Sequence, residues 1–411
     1  MKMNVYNLFK EEPPKHLKNK QDGYVLLGKN DKEALLLSSV LNQSPTARAC
    51  IDTFIDYTQG RITVGDVSCG YEEKFKTLHN KVATDLVEFG GVYIHVMYNF
   101  KGEATKVKHL PYEQCRLGIP DDLGYVSKVF FNPQFATEDY NKKNTIIYDI
   151  YNPNTEVIQS QIKRDGAKYG GQVYFYGVER SLSRFYPKPY YHAAVNWLTI
   201  DGKISLFHER NIDNNFLLSV ALSMVGDPDE AYEKDNEGNV VETVGEHFDR
   251  VMRSEFAGAK NGGKVMVFWS ELKDNFPQLQ AFPNNTNHDL FNTLQELTTE
   301  QICVGTRVPP ILAGVQVTGK LGATTEIENA IDLLNSKVYN FQQILEDIYA
   351  QVFSTSIFAS LKSVKIAKLN PFNILPDWAI DVMSQEEKRK YLKSNYNVEL
   401  DELPSPTNNP V

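Results

Sequence analysis

The chain has 411 residues, of which 42% are hydrophobic and 23% charged, a balance typical of globular proteins that predicts two or three structural regions. Its formal net charge of -9 argues against a protein that coats DNA, because tight phosphate binding requires a basic excess. Four scattered cysteines without a CxxC pair predict neither a disulfide framework nor a zinc site and favour a reducing compartment.

The first half predicts an α+β domain. A helix is expected from Ser44-Pro45 to Gly60, because serine caps helices and proline suits the first helical position. A second helix is expected from about Tyr71 to Glu88. From Val92 to about Arg184, runs of β-branched and aromatic residues between turn residues predict mainly strands, starting with a hairpin around Lys101-Gly102.

A change in character near residue 195 predicts a helix that grades into an apolar, strand-like end. The acidic segment after it, GDPDEAYEKDNEGNVVETVGEH, is expected to be an exposed loop outside any core. A helix (EHFDRVMRSEFAGA) and two short strands (KVMVFW and LQAF) follow. Together these segments predict a small inserted domain from about Leu218 to Phe282.

The next two helices flank an unusual connection. The first, HDLFNTLQELTTEQICVG, has Asn287 as a candidate cap and ends at Gly305. The connection TRVPPILAGVQVTGKLGAT contains two prolines and three glycines, so it cannot be a continuous helix. Connections of that length are usually functional or disordered. We therefore treat Arg307 to Thr324 as the candidate functional segment.

The second of these helices, TTEIENAIDLLNSKVYNFQQILEDIYAQVF, would be about 43 Å long at 1.5 Å per residue. Its apolar residues alternate at spacings of four and three, in a heptad-like stripe. The stripe comprises Ile327, Ile331, Leu334, Val338, Phe341, Leu345, Ile348 and Val352. Two alternatives stay open: the stripe packs against neighbouring helices, in the same or other subunits, or the segment is a long core helix of one domain.

The sequence contains no complete motif for catalysis. GAKNGGK (Gly258 to Lys264) has the spacing of a nucleotide-binding P-loop, but Val265 replaces the Ser or Thr that holds magnesium. The segment also follows a helix and leads into a strand, which is the reverse of a P-loop. No HExxH or GxSxG sequence is present. We predict no catalytic residue, no metal site and no cofactor, and a protein that is not an enzyme.

Three stretches carry a resemblance to a known family: GEHFDRVMRSEFAGAKNGGKVMVF, HDLFNTLQELTTEQICVGTRVPPILAG and GATTEIENAI. In this order they resemble the portal (head-to-tail connector) proteins of long-tailed bacteriophages. The resemblance implies an α+β, portal-like fold that assembles as a ring, with an α/β wing, a helical stem, a small α/β clip, a tunnel loop and a long kinked helix. The implied regions are an N-terminal arm (1–24), the wing (25–195), the first stem helix (196–217), the clip (218–286), the second stem helix (287–306), the tunnel loop (307–324), the long wing helix (325–354), a wing and crown region (355–398) and an unstructured tail (399–411).

The resemblance also implies a role. A portal subunit lies at a capsid vertex of the virion, is made in the host cytoplasm, and forms a channel for double-stranded DNA during packaging and ejection. Its implied partners are further copies of itself, usually twelve, the large subunit of the terminase motor, a head-tail adaptor, and major capsid and scaffolding proteins. No membrane is implied, because no signal peptide or apolar run of spanning length is found.

The expected site residues fall into three sets. Residues of the tunnel loop are expected to touch DNA: Val315, Gln316, Val317, Thr318, Lys320 and Leu321. Acidic residues of the second stem helix are candidates for the channel lining: Asp289, Glu296 and Glu300. Acidic residues of the clip are candidates for partner docking: Asp227, Asp229, Glu230, Glu233, Asp235 and Glu237. A lining without bases would guide DNA instead of gripping it.

Two other functions stay open at this point. One is an enzyme of nucleotide or nucleic-acid processing, which requires a clustered acid/base or phosphate site. The other is a different ring-forming virion or tail protein. A strictly monomeric protein would exclude the portal hypothesis, and turnover of ATP by the chain alone would favour the enzyme.

Overall fold

The fold is known from a computed structural model, which describes residues 18–19, 22–28, 30–62, 64–65, 67–70, 73–179, 185–213, 220–234, 240–255, 265–270, 288–315, 324–370 and 382–396. Helices and sheets are both present, so the chain is α+β, as predicted. The predicted strand LQAF and the predicted tail 399–411 lie outside the described residues.

Helices and strands alternate irregularly along the chain. The helices are α1 (Glu33–Gln43), α2 (Pro45–Gln59), α3 (Phe75–Glu88), α4 (Thr155–Asp165), α5 (Val195–Asp213), α6 (Val244–Glu255), α7 (His288–Thr306), α8 (Thr324–Val352) and α9 (Gln385–Tyr396). The strands are β1 (Lys18–Asn19), β2 (Tyr24–Val25), β3 (Arg61–Ile62), β4 (Gly91–Tyr98), β5 (Ala104–Leu110), β6 (Cys115–Leu117), β7 (Lys128–Phe131), β8 (Ile146–Ile150), β9 (Gln172–Gly177), β10 (Val220–Val225), β11 (Ala231–Lys234), β12 (Val240–Thr243), β13 (Val265–Ser270) and β14 (Ile366–Ala367).

A six-stranded sheet organises the first half, in the order β5-β4-β9-β8-β7-β6. Within this sheet only β8 and β9 pair in parallel, because α4 carries the chain between them, and the other neighbours are antiparallel. The predicted hairpin is confirmed as β4 and β5. Alternate residues of β4 contribute to two cores on opposite faces of the sheet, with Val92 and Ile94 in one and Tyr93 in the other.

The larger core joins the sheet to helices from both halves of the sequence. It holds Phe54 of α2, Leu78 of α3 and Leu334 of α8, together with Leu198 of α5 and Ile302 of α7. The rings of Phe54 and Phe341 lie 5.3 Å apart, edge to face, where α2 meets α8. The two predicted stem helices are therefore rooted in the same apolar core as the sheet domain.

The heptad-like stripe of α8 lies inside this core. Seven of its eight residues are buried, and the eighth, Ile327, is partly buried against the same cluster. The stripe is therefore covered by α2 and its neighbours in the same chain, and its use as a seam between subunits is wrong. The alternative of a long core helix is confirmed, because a stripe of this spacing packs equally well on helices of its own chain.

Two helices were not predicted. α1 lacks a capping side chain at Lys32, and only Ala34 and Leu41 are buried in it, so its apolar pattern is weak. α4 lies in the region expected to be mainly strands. It is capped by Asn154 and buries only Ile158 and Ile162, a narrow stripe within a sequence rich in β-branched residues.

Two predicted boundaries or states also differ. α3 begins at Phe75, later than the expected Tyr71, and its cap position Lys74 makes no side-chain capping bond. The acidic segment is not a loop throughout: β11 and β12 form an antiparallel hairpin within it. This hairpin forms because Val240, Val241 and Tyr232 favour strands, although all three are exposed.

Two buried histidines have lowered pKa values. The ring of His79 contacts the carbonyl of Gln59 through Nε2 at 2.8 Å and the Tyr349 hydroxyl through Nδ1 at 2.9 Å. The ring of His95 contacts the carbonyl of Gly170 at 2.6 Å. Burial disfavours the charged imidazolium and lowers the pKa of both side chains. Both rings are therefore held in the neutral form.

The free energy of unfolding is expected to decrease as the pH falls below about 6.5, the pKa of histidine in an unfolded chain. Below this pH the histidines of the unfolded state bind protons, whereas the two buried rings of the folded state do not, and this difference favours unfolding. Burial raises the pKa of Asp85, which acts in the opposite direction. Comparing wild type with His79→Gln by urea unfolding between pH 7.5 and 5.5 isolates the contribution of His79 to the pH dependence of the free energy of unfolding. An equal pH slope in both proteins would contradict the prediction.

Candidate functional site

The candidate segment connects α7 to α8, and the structure describes its first part, residues 307–315. Val315 is thus the one predicted DNA-contacting residue within the described residues. The others, Gln316, Val317, Thr318, Lys320 and Leu321, lie outside them. The geometry of the segment is therefore that of its base, where it leaves α7.

The base begins with a tight turn that ends α7. The Val308 N–H donates to the carbonyl of Cys303 at 3.1 Å, and the Arg307 N–H donates to the carbonyl of Val304 at 3.2 Å. This pair of bonds is a Schellman motif, in which the residue after the helix is left-handed. Arg307 has φ 59°, and Val308 is buried at 2% exposure. The turn fixes the direction in which the chain leaves α7.

A second turn of the same kind follows within seven residues. Pro310 to Ala313 form a short 3-10 helix, and Gly314 adopts φ 77° at its end. The Val315 N–H donates to the carbonyl of Pro310 at 3.0 Å. The side chain of Thr53 on α2 lies 3.4 Å from the carbonyl of Leu312. VPPILAGV is therefore an ordered support, which explains why prolines and a glycine occur together there.

Replacing Arg307 with glycine is expected to stabilise the protein by about 1 kcal/mol, because glycine adopts a left-handed conformation without steric penalty. Arg307→Ala is the matched control: it removes the same exposed side chain and keeps the penalty, so its stability should stay near wild type. Urea unfolding of the three proteins measures the difference. Equal stability of the glycine and alanine variants would contradict the account.

α7 has one buried and one exposed face. Thr298, Ile302 and Thr306 are fully buried, on the face that contacts α2 and α5. A Cβ added at Gly305 would lie 2.4 Å from the Cβ of Ala194, so glycine permits the close approach of α7 to the turn before α5. Because its core face is fixed in this way, the opposite face of α7 must remain on the surface.

That exposed face carries acidic and apolar residues. Glu296 and Glu300 are exposed, as are Leu297 at 42% and Val304 at 66%. α7 contains no Lys or Arg. Like charges four residues apart on a helix repel each other by a few tenths of a kcal/mol, so Glu296 and Glu300 slightly lower the stability of α7. Asp289 lies in the first turn of α7, and its side chain is outside the described residues.

The first half of α5 is bound to the start of α2, the helix that also packs against α7. The Ser44 hydroxyl donates to Asp201 Oδ2 at 2.6 Å and also accepts the Ala47 N–H at 3.1 Å, so one buried side chain caps α2 and binds α5. Both Ser44 and Asp201 are buried. The two candidate stem helices thus leave the core side by side.

The predicted docking residues of the clip are exposed where they are described. Asp227, Asp229, Glu230 and Glu233 lie at the turn after β10 and on β11. The Asp229 N–H donates to Asp227 Oδ1 at 3.0 Å, which orders the turn. Asp235 and Glu237 lie outside the described residues.

A charged cluster that was not predicted from the sequence lies beside this turn. Glu242 of β12 accepts from Arg250 Nε at 2.8 Å and contacts His247 at 3.2 Å, and the pair lowers the pKa of Glu242 to about 2. The ring of Tyr232 stacks on His247 with centroids 3.7 Å apart. The cluster ties the hairpin to α6. Its only signal in the sequence is a Glu and an Arg eight residues apart across a strand-to-helix boundary.

Within the described ranges, no three His, Cys, Asp or Glu side chains are grouped to hold a metal ion. No helix there combines the length and apolar character needed to cross a membrane. GAKNGGK (258–264) lies outside the described residues, between the end of α6 and the start of β13.

Comparisons with known proteins give similarity in structure alone. No protein-family model matches the chain, and no curated protein matches it. A chain from the virion of a native gene transfer agent particle is 13% identical, with a TM-score of 0.48 over 87% of this chain and 92% of that one. A chain from the neck of such a particle, computed with C12 symmetry, is also 13% identical, with a TM-score of 0.46 over 87% and 92%. An HK97-family phage portal protein from Corynebacterium diphtheriae is 11% identical, with a TM-score of 0.36 over 85% of this chain and 98% of that one.

At these values of identity and TM-score, the similarity assigns no functional role to any residue of this chain. The chain is thus similar, over most of its length, to components of phage and gene transfer agent particles.

Proposed function

We propose that this chain is a portal subunit, which forms a ring at a capsid vertex and provides the channel through which double-stranded DNA is packaged and ejected. One observation carries the proposal: α7 turns an acidic face without bases to the surface and ends in a rigid support for the tunnel loop. The resemblance of the sequence to portal proteins supports it. On this proposal the chain needs no active site, because the packaging motor is a separate protein.

The acidic face suits passage of DNA. Duplex DNA carries one phosphate charge per about 1.7 Å of axis, so basic residues along a channel would bind it and slow its movement. Glu296 and Glu300 would repel it and keep it centred. In this proposal, the tunnel loop residues from Val315 to Leu321 supply weak contacts that do not depend on sequence.

The remaining assignments follow the same proposal. The wing is residues 25–195, the stem helices lie at 196–217 and 287–306, the clip is 218–286, the long wing helix is 325–354, and the wing and crown region is 355–398. The exposed acids from Asp227 to Glu233 would dock the large terminase subunit and later the head-tail adaptor. Capsid and scaffolding proteins would contact the wing. Twelve subunits is the proposed number.

Native mass spectrometry of the purified full chain tests the ring. Each chain has a mass of 46.7 kDa, so we expect a dominant species at a whole multiple of that mass, at twelve copies for the proposed number. A chain that stays monomeric at micromolar concentration and moderate salt would contradict the proposal. ATP turnover by the chain alone would favour the enzyme instead.

A further inference from the structure

Two of the four cysteines lie against each other. Cys50 on α2 and Cys303 on α7 place their sulfur atoms 3.9 Å apart, although they are far apart in sequence. Cys50 is fully buried and Cys303 is 4% exposed. Cys69 and Cys115 are also buried thiols, but within the described chain neither has a second thiol as its partner. The pair is thus distinguished from the other two cysteines by contact and not by burial.

We infer that Cys50 and Cys303 form a disulfide when the folded protein reacts with a peroxide, and that this bond joins α2 to α7. A disulfide needs a sulfur separation of about 2.05 Å, so the two atoms must approach by about 2 Å. The two helices pack against each other, and rotation of the two side chains is the motion that would bring the sulfur atoms together.

The surroundings of the pair make its two sulfurs unequal. Hydrogen bonds from Cys303 and from Thr306 lower the pKa of Cys50 against the effect of its burial. The same contact and burial raise the pKa of Cys303. By contrast, burial raises the pKa of Cys69 to about 12. Cys50 is therefore the thiol of the pair that ionises more readily to attack an oxidant, and Cys303 is the thiol that resolves the product.

The chemistry balances with one molecule of hydrogen peroxide. The Cys50 thiolate attacks one peroxide oxygen, the O–O bond breaks, and Cys50 becomes a sulfenic acid, while the departing hydroxide takes up the proton that Cys50 lost and becomes water. The Cys303 sulfur then attacks the Cys50 sulfur, the S–O bond breaks, and the departing hydroxide takes the Cys303 proton as water. In total, two thiols and one peroxide give one disulfide and two waters.

The bridge would act on the base of the tunnel loop. The carbonyl of Cys303 accepts the Val308 N–H, and Thr53, one helical turn after Cys50, lies against the carbonyl of Leu312. A covalent link between these helices holds both attachments of the base together. It would also restrict the unfolded chain over the long segment between the two cysteines, which stabilises the folded state.

The test treats the full chain with hydrogen peroxide, denatures it, blocks remaining thiols with N-ethylmaleimide, and maps peptides by mass spectrometry. We expect two blocked thiols, Cys69 and Cys115, and one linked peptide pair that contains Cys50 and Cys303, lighter by two hydrogens. We also expect a rise in Tm of roughly 5 °C that dithiothreitol reverses. Hydrogen exchange of amides 303–315 should slow on oxidation.

Two variants serve as controls. Cys303→Ser should lose both the linked peptide and the peroxide-dependent rise in Tm. Cys69→Ala with Cys115→Ala should keep both. Four free thiols after long exposure, at 25 °C and again a few degrees below Tm, would overturn the inference, as would linkage of any other pair. These readouts do not depend on ring formation or on DNA.

Discussion

Replacing Arg116 with methionine is expected to lower the free energy of unfolding by about 3–5 kcal/mol, because it leaves buried acceptors and a carboxylate without their cation. Arg116 is 1% exposed. Its Nε donates to Asp31 Oδ1 at 2.6 Å, and its Nη1 donates to the carbonyls of Glu113 and Cys115 at 2.7 Å each. The guanidinium also lies 4.7 Å from the centre of the Phe135 ring. No apolar side chain can replace these bonds.

The position of Arg116 explains the size of the effect. It lies on β6, at the edge of the six-stranded sheet, and Asp31 lies two residues before the start of α1, so the pair ties the N-terminal segment to the sheet. Urea unfolding measures the loss. The double variant Asp31→Asn with Arg116→Met should lose less, because no unpaired charge remains.

A matched surface change separates burial from charge. Arg164 pairs with Asp149 and Asp165, but its side chain is 53% exposed. Arg164→Met should therefore cost less than about 1 kcal/mol. A loss below 1 kcal/mol for Arg116→Met, or equal losses for both arginines, would contradict the assignment of Arg116 as a buried tie.

Reversing the charge of Glu296 and Glu300 to lysine is expected to reduce the number of DNA-filled particles at least tenfold at low ionic strength. Each subunit would gain about +4 in charge on its exposed α7 face, and lysines facing a duplex bind phosphate. The helix itself should tolerate the change, since two lysines four residues apart repel much as the two glutamates do.

Salt supplies a second readout for this double variant. Screening weakens interactions between exposed charges, so packaging by the double variant should recover partly as ionic strength rises, whereas wild type should change little. Glu138→Lys with Asp139→Lys is the matched control, because it makes the same charge change at an exposed turn of the sheet domain. Normal packaging by the α7 variant at low salt, with rings still formed, would remove the proposed role of this face.

Local sequence signals predicted the strongly patterned elements. α2 was predicted from Ser44-Pro45 and Gly60, and the structure has the serine cap, the proline at the first position and the terminal glycine. The β4–β5 hairpin and the 29-residue helix α8 were also predicted. In each case the signal is local, since it depends on caps, turn residues or a long periodic stripe.

Tertiary contacts decided what the sequence left open. Nothing in the stripe of α8 states which helix covers it, and the structure assigns it to α2 of the same chain. α1 and α4 were missed because each buries only two residues, so packing and not periodicity holds them. VPPILAGV is ordered by local hydrogen bonds, such as that from the Val315 N–H to the Pro310 carbonyl, whereas its sequence predicts only that a continuous helix is broken there.

The residues of the candidate site were likewise predictable from the sequence only in part. The sequence identified Glu296 and Glu300 by their charge, and both are exposed on the face of α7 opposite its buried side. The pair Cys50 and Cys303 was read as two isolated residues, because contacts across 253 positions leave no pattern in one sequence. Glu242, Arg250 and His247 lie close in sequence, but they were missed because their contact depends on the turn from β12 into α6, in a segment predicted to be a loop.

Electron cryo-microscopy of the purified full chain tests the central claim most directly, because one map reports both the ring and the direction of α7. We predict a closed ring with a central pore wide enough for duplex DNA, and with Glu296 and Glu300 of every subunit on the pore wall. A ring whose α7 acids face outward would contradict the channel assignment, and particles without a pore would contradict the portal proposal itself.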